Sequence, residues 1–346
     1  MALWPFLAVF GIALSLTLMF TPLSIRLGKK LDIVDHPGGR RKHHGDVVRI
    51  GGLAIWPAFT LTALLPVALG LPRQDPLELT RLIGVVAGMG IIWAMGLLDD
   101  RYKLRPGLQF VGMLLASAVA ILFKVFIELF NSPFTGAQVK VDWYLMVPIT
   151  LAWLMTMTET VNMLDGVDGL ATGVTALASL VLFIHMLRLG QFSVALLPLA
   201  LFGVCLGFLV FNFYPARVFL GGGAYVLGFA LGALSIVAGA KVATALLVLW
   251  VPMVDVLWQV YSRWKRGQPI SLGDRGHLQF RLQDMGWSAP RIAFCYYAVT
   301  AVLGAVALFS PSRTLKLAVL ASLFLVVLLG LYWLTRKTGD RTPTGT

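Results

Sequence analysis

Apolar stretches close to twenty residues long recur along this chain, and that recurrence constrains the fold more than any single motif. A bilayer core of roughly 30 Å needs about twenty apolar residues per helical crossing. By that rule there are about eleven spans: 4–25, 51–70, 82–98, 108–129, 143–161, 172–187, 192–212, 223–238, 241–260, 290–309 and 314–335. In lipid the backbone must satisfy its own hydrogen bonds, so each is expected to be a helix. Composition agrees, because 58% of the 346 residues are hydrophobic and 13% charged, too little polar surface for a soluble domain of this size. The expected fold class is therefore all-α, a polytopic membrane protein. Residues 1–335 form one transmembrane helical domain and 336–346 a polar C-terminal tail. The first apolar run lacks a basic flank and is long enough to span, which marks a first transmembrane helix rather than a cleaved signal.

A net charge of +12 would suggest nucleic acid as the partner of a soluble protein. Here the cations follow the topology instead. With loop 26–50 placed in the cytoplasm, the loops on that side carry 20 Lys and Arg and the opposite side 7. That asymmetry puts the N-terminus out and the C-terminus in the cytoplasm. The expected partner is the lipid bilayer, with no nucleic acid. Cys205 and Cys295 lie inside apolar runs, so neither a disulfide framework nor a thiolate metal site is indicated.

The same topology collects the polar clusters on the cytoplasmic face. Asp99 and Asp100 close the third span in GLLDDRYKLRPG, and Asp165 and Asp168 follow the fifth in VNMLDGVDGLATG. Carboxylates beside apolar spans are costly unless they meet cations, water or a metal. On a helix the side chains of Asp99 and Asp100 diverge by about 100°, so one can hold a cation while the other accepts a proton. Asp165 and Asp168 would share a face of a helix, whereas Gly166 and Gly169 point to a tight turn close to a ligand. Plainer readings stand beside these. Acidic pairs also occur as solvated helix caps, and RRKHHGDVVR also reads as a headgroup anchor. Glu159, two turns before Asp165, belongs with the site or beside it, and Asp255 reads as a neutraliser of a nearby Arg or Lys. A transporter would need paired charges in mid-span, for which Lys124, Glu128 and Asp255 give thin support.

Taken together, the motifs resemble those of the polyprenyl-phosphate N-acetylhexosamine-1-phosphate transferases, glycosyltransferase family 4, the group of the peptidoglycan translocase and the teichoic acid and O-antigen initiators. NMLDGVDGLATG is close to the family's N-L-x-D-G-x-D-G-L-A, and GLLDDRYKLRP to its G-L-x-D-D-R-Y-x-L-x-P. The first loop fits D-x-P-x-x-R-K-x-H before R-x-G-G through Asp35, Pro37, Arg40, Arg41, His43, Arg49, Gly51 and Gly52. DRGHLQFRL follows D-x-x-H-x-H-H-R-L. The resemblance implies transfer of a sugar 1-phosphate, by default that of N-acetylglucosamine, from a UDP-sugar to polyprenyl phosphate, with release of UMP. It implies Mg²⁺ or Mn²⁺ as cofactor, a bacterial plasma membrane with the active site facing the cytoplasm, and a homodimer among the states to expect. Asp99, Asp100, Asp165 and Asp168 would hold the metal and, with His277, carry catalysis. Asn162, Arg40, Arg41, His43, Arg49 and Arg281 would bind substrates.

Several positions depart from the family pattern, among them Arg41 for the usual lysine and Asp46 and Val48 for two prolines before R-x-G-G. FLGGGAYVLGF stands where the family reads F-M-G-D-A-G-S-x-F-L-G-F, so the usual metal aspartate falls at Gly222. Gln109 replaces a phosphate-side lysine, and Gln279 and Phe280 replace two histidines. Two readings follow. Either the four remaining aspartates run the chemistry, or the chain is an impaired paralogue that binds lipid phosphate or nucleotide without turnover.

Overall fold

A computed structural model describes residues 3–35, 46–131, 138–237, 242–269, 276–310 and 313–338. In chain order the elements are α1 (Trp4–Lys30), β1 (Val34–Asp35), β2 (Val47–Arg49), α2 (Gly52–Ala68), α3 (Glu78–Tyr102), α4 (Pro106–Leu122), β3 (Leu129–Asn131), β4 (Gln138–Lys140), α5 (Trp143–Leu164), α6 (Leu170–Arg188) and α7 (Phe192–Asn212). They continue with β5 (Val218–Phe219), α8 (Gly223–Val237), α9 (Val242–Val248), α10 (Trp250–Lys265), α11 (Leu278–Asp284), α12 (Ala289–Phe309) and α13 (Arg313–Thr338).

Among the described residues, α1, α3, α5, α6, α7 and α12 are long and apolar enough to cross a membrane, and α9 and α10 form a pair bent by 79°. The shorter apolar helices are α2, α4, α8 and the apolar part of α13. Each expected span overlaps a helix or the bent pair, although α4 ends at Leu122, short of the span end expected at 129, and the chain is a predominantly helical, multi-pass membrane protein. Two small sheets were not anticipated: the hairpin β3–β4, and a three-stranded sheet in the order β1-β2-β5. Helix α13 also runs past residue 335, to Thr338.

Local chemistry explains the helix ends. Proline opens α1, α4 and α12 within the first two positions, where its missing N–H costs nothing and its fixed φ suits the helix. Several buried hydroxyls are satisfied within their own helices, as when Thr17 donates to Ala13 O at 2.8 Å and Thr158 to Leu154 O at 2.7 Å. The outer faces carry exposed Leu7, Leu23, Leu115 and Val302, the surface expected to meet lipid.

The axis of the bundle is α8, every residue of which is buried. A helix apolar on all sides belongs at the centre, and glycines let its neighbours approach. A Cβ on Gly228 would lie 2.6 Å from Met157 O on α5, and one on Gly88 of α3 would lie 2.5 Å from the Phe229 ring. Between membrane helices lipid supplies no hydrophobic drive, so this backbone-close packing carries the association. Trp153 of α5 closes the contact by donating to Gly232 O at 3.2 Å and Ser235 Oγ at 3.1 Å.

Candidate active site

The small sheet delivers Arg49 to the end of α3. Strand β1 pairs antiparallel with β2, and β2 parallel with β5, with Arg49 opposite Phe219. The pairing continues past the strands, where Gly51 N–H donates to Phe219 O at 3.0 Å and Gly52 N–H to Leu220 O at 3.1 Å. From this position Arg49 Nε lies 3.5 Å from Asp100 Oδ1. Burial disfavours the guanidinium charge, but the carboxylates of Asp100, Asp165, Asp99 and Asp35 outweigh it and raise the pKa of Arg49. One cation thus sits in the field of four carboxylates.

The glycine triplet that follows β5 is a meeting point of backbones. Gly221 has φ +54°, and a Cβ there would lie 2.4 Å from Asp100 Oδ1. A Cβ on Gly222 would lie 2.3 Å from Gly96 Cα on α3, and one on Gly223 would lie 2.8 Å from Gly52 Cα on α2. Glycine is required at each for contact, and at Gly221 also for the left-handed backbone. What the triplet gives the site is a donor: Gly222 N–H points at the Asp100 carboxylate, 3.0 Å from each oxygen, at the positive end of α8. The position read as a lost carboxylate has no room for a side chain on this backbone.

Asp99, the neighbour of Asp100, accepts Leu104 N–H and Gln109 Nε2 at 2.9 Å each, both on Oδ1. Gln109 thus stands beside a retained carboxylate. Asp165 caps α5 as the chain leaves the helix, and the turn anticipated around Gly166 and Gly169 is present, with Gly169 at φ +74°. Asp168 Oδ2 accepts Ala216 N–H at 3.0 Å, tying this turn to the segment before β5. Asn162 donates to Glu159 Oε1 at 3.4 Å and lies against the Tyr225 hydroxyl.

The loop before α11 packs against the same turn. Gln279 Nε2 donates to Met163 O at 2.6 Å, and a Cβ on Gly166 would lie 2.3 Å from the tip of the Phe280 ring. The residues at the two substituted histidine positions therefore fill space beside the Asp165 turn. Arg281 Nε donates to Gly276 O at 2.6 Å. His277 is buried, with Nδ1 2.8 Å from Asp255 Oδ2.

Of the anticipated residues, Arg49, Asp99, Asp100 and Asp165 converge on one field, with Asp168, Asn162, His277 and Arg281 around it. Arg40, Arg41 and His43 lie outside the described residues. Sequence reasoning passed over a buried stripe on α10, formed by Asp255, Gln259 and Arg263. Its signal was available: polar residues at i, i+4 and i+8 on a helix otherwise rich in Trp, Val and Leu share one face. Asp255 meets His277 rather than the Arg or Lys expected of it.

Such a fold and site define a multi-pass membrane enzyme that gathers carboxylates and a guanidinium at one end of a helical bundle, as phosphoryl transfer requires. Comparison with known proteins agrees. Residues 82–239 match the model of glycosyl transferase family 4. The chain is 29% identical over 327 residues to the probable undecaprenyl-phosphate N-acetylglucosaminyl 1-phosphate transferase of Bacillus subtilis, covering 92% of this chain and 88% of that protein. It is 30% identical to the decaprenyl-phosphate N-acetylglucosaminephosphotransferase of Mycolicibacterium smegmatis, over 89% and 84% of the two chains. With the phospho-N-acetylmuramoyl-pentapeptide-transferase of Moorella thermoacetica identity is 32%, over 75% and 83%. The chain belongs to glycosyl transferase family 4, among the polyprenyl-phosphate hexosamine-1-phosphate transferases.

Proposed function

We propose that this enzyme transfers N-acetylhexosamine 1-phosphate, by default that of N-acetylglucosamine, from a UDP-sugar to a polyprenyl phosphate of undecaprenyl type. UMP is released, and the product initiates a cell-envelope polysaccharide on the cytoplasmic face of a bacterial plasma membrane. The observation that carries the reading is the convergence of Asp99, Asp100 and Asp165 around Arg49. An oxygen of the lipid phosphate attacks the sugar-bearing phosphorus of the UDP-sugar. A new P–O–P linkage forms and the bond to UMP breaks. Two anionic groups must meet for this, and unit charges about 4 Å apart interact by roughly 4 kcal/mol at an effective dielectric near 20. Positioning and charge compensation are therefore the main demands on the protein.

Arg49 supplies fixed positive charge, and Asp100 with Gly222 N–H holds it in place. Among the described residues no three Asp, Glu, His or Cys side chains close a cage around a metal. The donor set nevertheless fits a hard cation, because Mg²⁺ is commonly bound by one or two carboxylates and completed by substrate phosphates. Asp99, whose two hydrogen bonds both fall on Oδ1, and Asp165 would hold Mg²⁺ or Mn²⁺, with Asp168 buttressing the turn. Once bound, the ion would offset charge on the two phosphates. Asn162 and Arg281 would orient the nucleotide, and Arg40, Arg41 and His43 would meet it from the first loop.

The test is incubation of the purified full chain with polyprenyl phosphate, a panel of UDP-N-acetylhexosamines and Mg²⁺. Lipid-linked pyrophosphoryl sugar and UMP should form, and both should be lost in Asp99→Asn. Nucleotide binding without turnover across the panel would replace this reading with that of a non-catalytic paralogue.

A further inference from the structure

Asp255 is 3% exposed, and both of its oxygens are engaged. Oδ1 accepts Leu278 N–H at 3.1 Å, and Oδ2 lies 2.8 Å from Nδ1 of His277. An ionised carboxylate only accepts hydrogen bonds, so the short contact requires the imidazole proton on Nδ1. The other ring nitrogen, Nε2, is buried and has no hydrogen-bond partner among the described residues. A buried acceptor of this kind is costly unless something fills its place. Around the ring, Gln259 of α10 donates to Gly276 O, and Glu159 of α5 lies in the field of both His277 and Arg263. The Gln259 contact holds the backbone beside His277 from α10, and Nε2 is the ring nitrogen left without a partner among the described residues.

We propose that Asp255 is a positioning residue for His277. It keeps the proton on Nδ1 and presents Nε2, free of hydrogen, as an acceptor for a hydroxyl or N–H of the sugar nucleotide. The head of a fully ionised lipid phosphate, the form that attacks, offers only acceptor oxygens, so a bare Nε2 finds its donor on the nucleotide sugar. This rests on the transferase reading above. A purely structural Asp255 would only cap α11 through Leu278 N–H.

Asp255→Asn separates the two roles. A backbone N–H can only donate, so Leu278 claims the single amide oxygen and the Asn NH₂ turns to His277. Nδ1 must then accept, and the ring proton moves to Nε2. The measurements use the full chain in nanodiscs. Nitrogen-15 spectra of labelled histidine, assigned through His277→Gln, read the tautomer, and equilibrium binding reads the affinity for UDP-N-acetylglucosamine and for polyprenyl phosphate.

The expected result has three parts: a switch from the Nδ1–H to the Nε2–H tautomer, a Kd for the nucleotide sugar raised about ten- to a hundredfold by the unsatisfied buried donor, and an unchanged Kd for the lipid. In the His277→Gln background, Asp255→Asn should cause no further loss. An unchanged tautomer, losses that multiply in the double variant, or weakening that falls on the lipid would each overturn the proposal. So would failure of the wild-type chain to bind the nucleotide. Binding without turnover would defeat the transferase reading alone, and the tautomer and Kd arms would still decide this one.

Discussion

Gly222 N–H and the Asp100 carboxylate meet at 3.0 Å, in the tightest backbone packing of the site. The same glycine that feeds Asp100 a hydrogen bond also lies flat against Gly96, with no space for a Cβ. The family's motif pattern makes Gly222→Asp look like a restoration. The packing says otherwise, because the clash is with helix backbone and not with a side chain able to swing away. Overpacking of this kind costs about 1–3 kcal/mol and occasionally more. Gly222→Asp and Gly222→Ala should both lower the thermal midpoint and reduce turnover. A Gly222→Asp protein as stable as wild type and more active would show that the helices separate readily here.

Arg49 lies in the combined field of Asp100, Asp165, Asp99 and Asp35. Removing it leaves the buried Asp99 and Asp100 without that cation; the loss is on the order of 3–5 kcal/mol where both partners are buried and smaller here, because the Arg49 side chain is 31% exposed. Arg49→Ala should therefore lose both stability and activity. Arg49→Lys keeps the charge but not the planar fork that places Nε beside Asp100. Its expected signature is near-normal stability with turnover reduced tenfold or more, read from parallel melting and activity measurements. Equal activity in the lysine variant would mean that charge alone suffices.

These two sites show what was legible in the sequence. Span positions, the helical class and the Asp99, Asp100, Asp165 and Asp168 motifs follow from local hydropathy and short spacings, which the chain displays directly. The contact of Gly222 with Gly96 does not, since it joins residues far apart in sequence through the absence of side chains. Read alone, three glycines announce flexibility, but here they lie where α2, α3 and α8 touch. Asp255 was visible as a charge in a span and its partner was misjudged, because pairing with His277 depends on how α10 bends away from α9. The α10 stripe of Asp255, Gln259 and Arg263 was there to be read and would have marked a buried polar face.

Gln109 replaces a lysine of the family pattern, and its amide donates to Asp99 Oδ1 at 2.9 Å. A hydrogen bond to a charged group contributes about 1.5–3 kcal/mol. If Asp99 helps hold the cation, losing that donor should disturb its placement. Gln109→Ala should raise the Mg²⁺ concentration needed for half-maximal activity by about tenfold or more, with a smaller change in the KM for lipid. Gln109→Lys, which still offers a donor, should retain activity. A Mg²⁺ titration on the three proteins decides this, and identical curves would separate Asp99 from the metal.

Phe280 packs on Gly166 in the turn that carries Asp165 and Asp168, with the ring tip 2.3 Å from where a Cβ would stand. The obstacle is one side chain and not a backbone, so it can be removed. Gly166→Ala alone should destabilise the protein, because the methyl group collides with the ring. Phe280→Ala alone should also destabilise it, by about 3–5 kcal/mol where a phenylalanine is fully buried and less at this half-buried position. Together the two should cost less than their sum, since each relieves the defect of the other. Melting curves of the four proteins give the coupling directly. Strict additivity would mean that ring and turn do not touch, and that Phe280 does not shape the platform beneath Asp165.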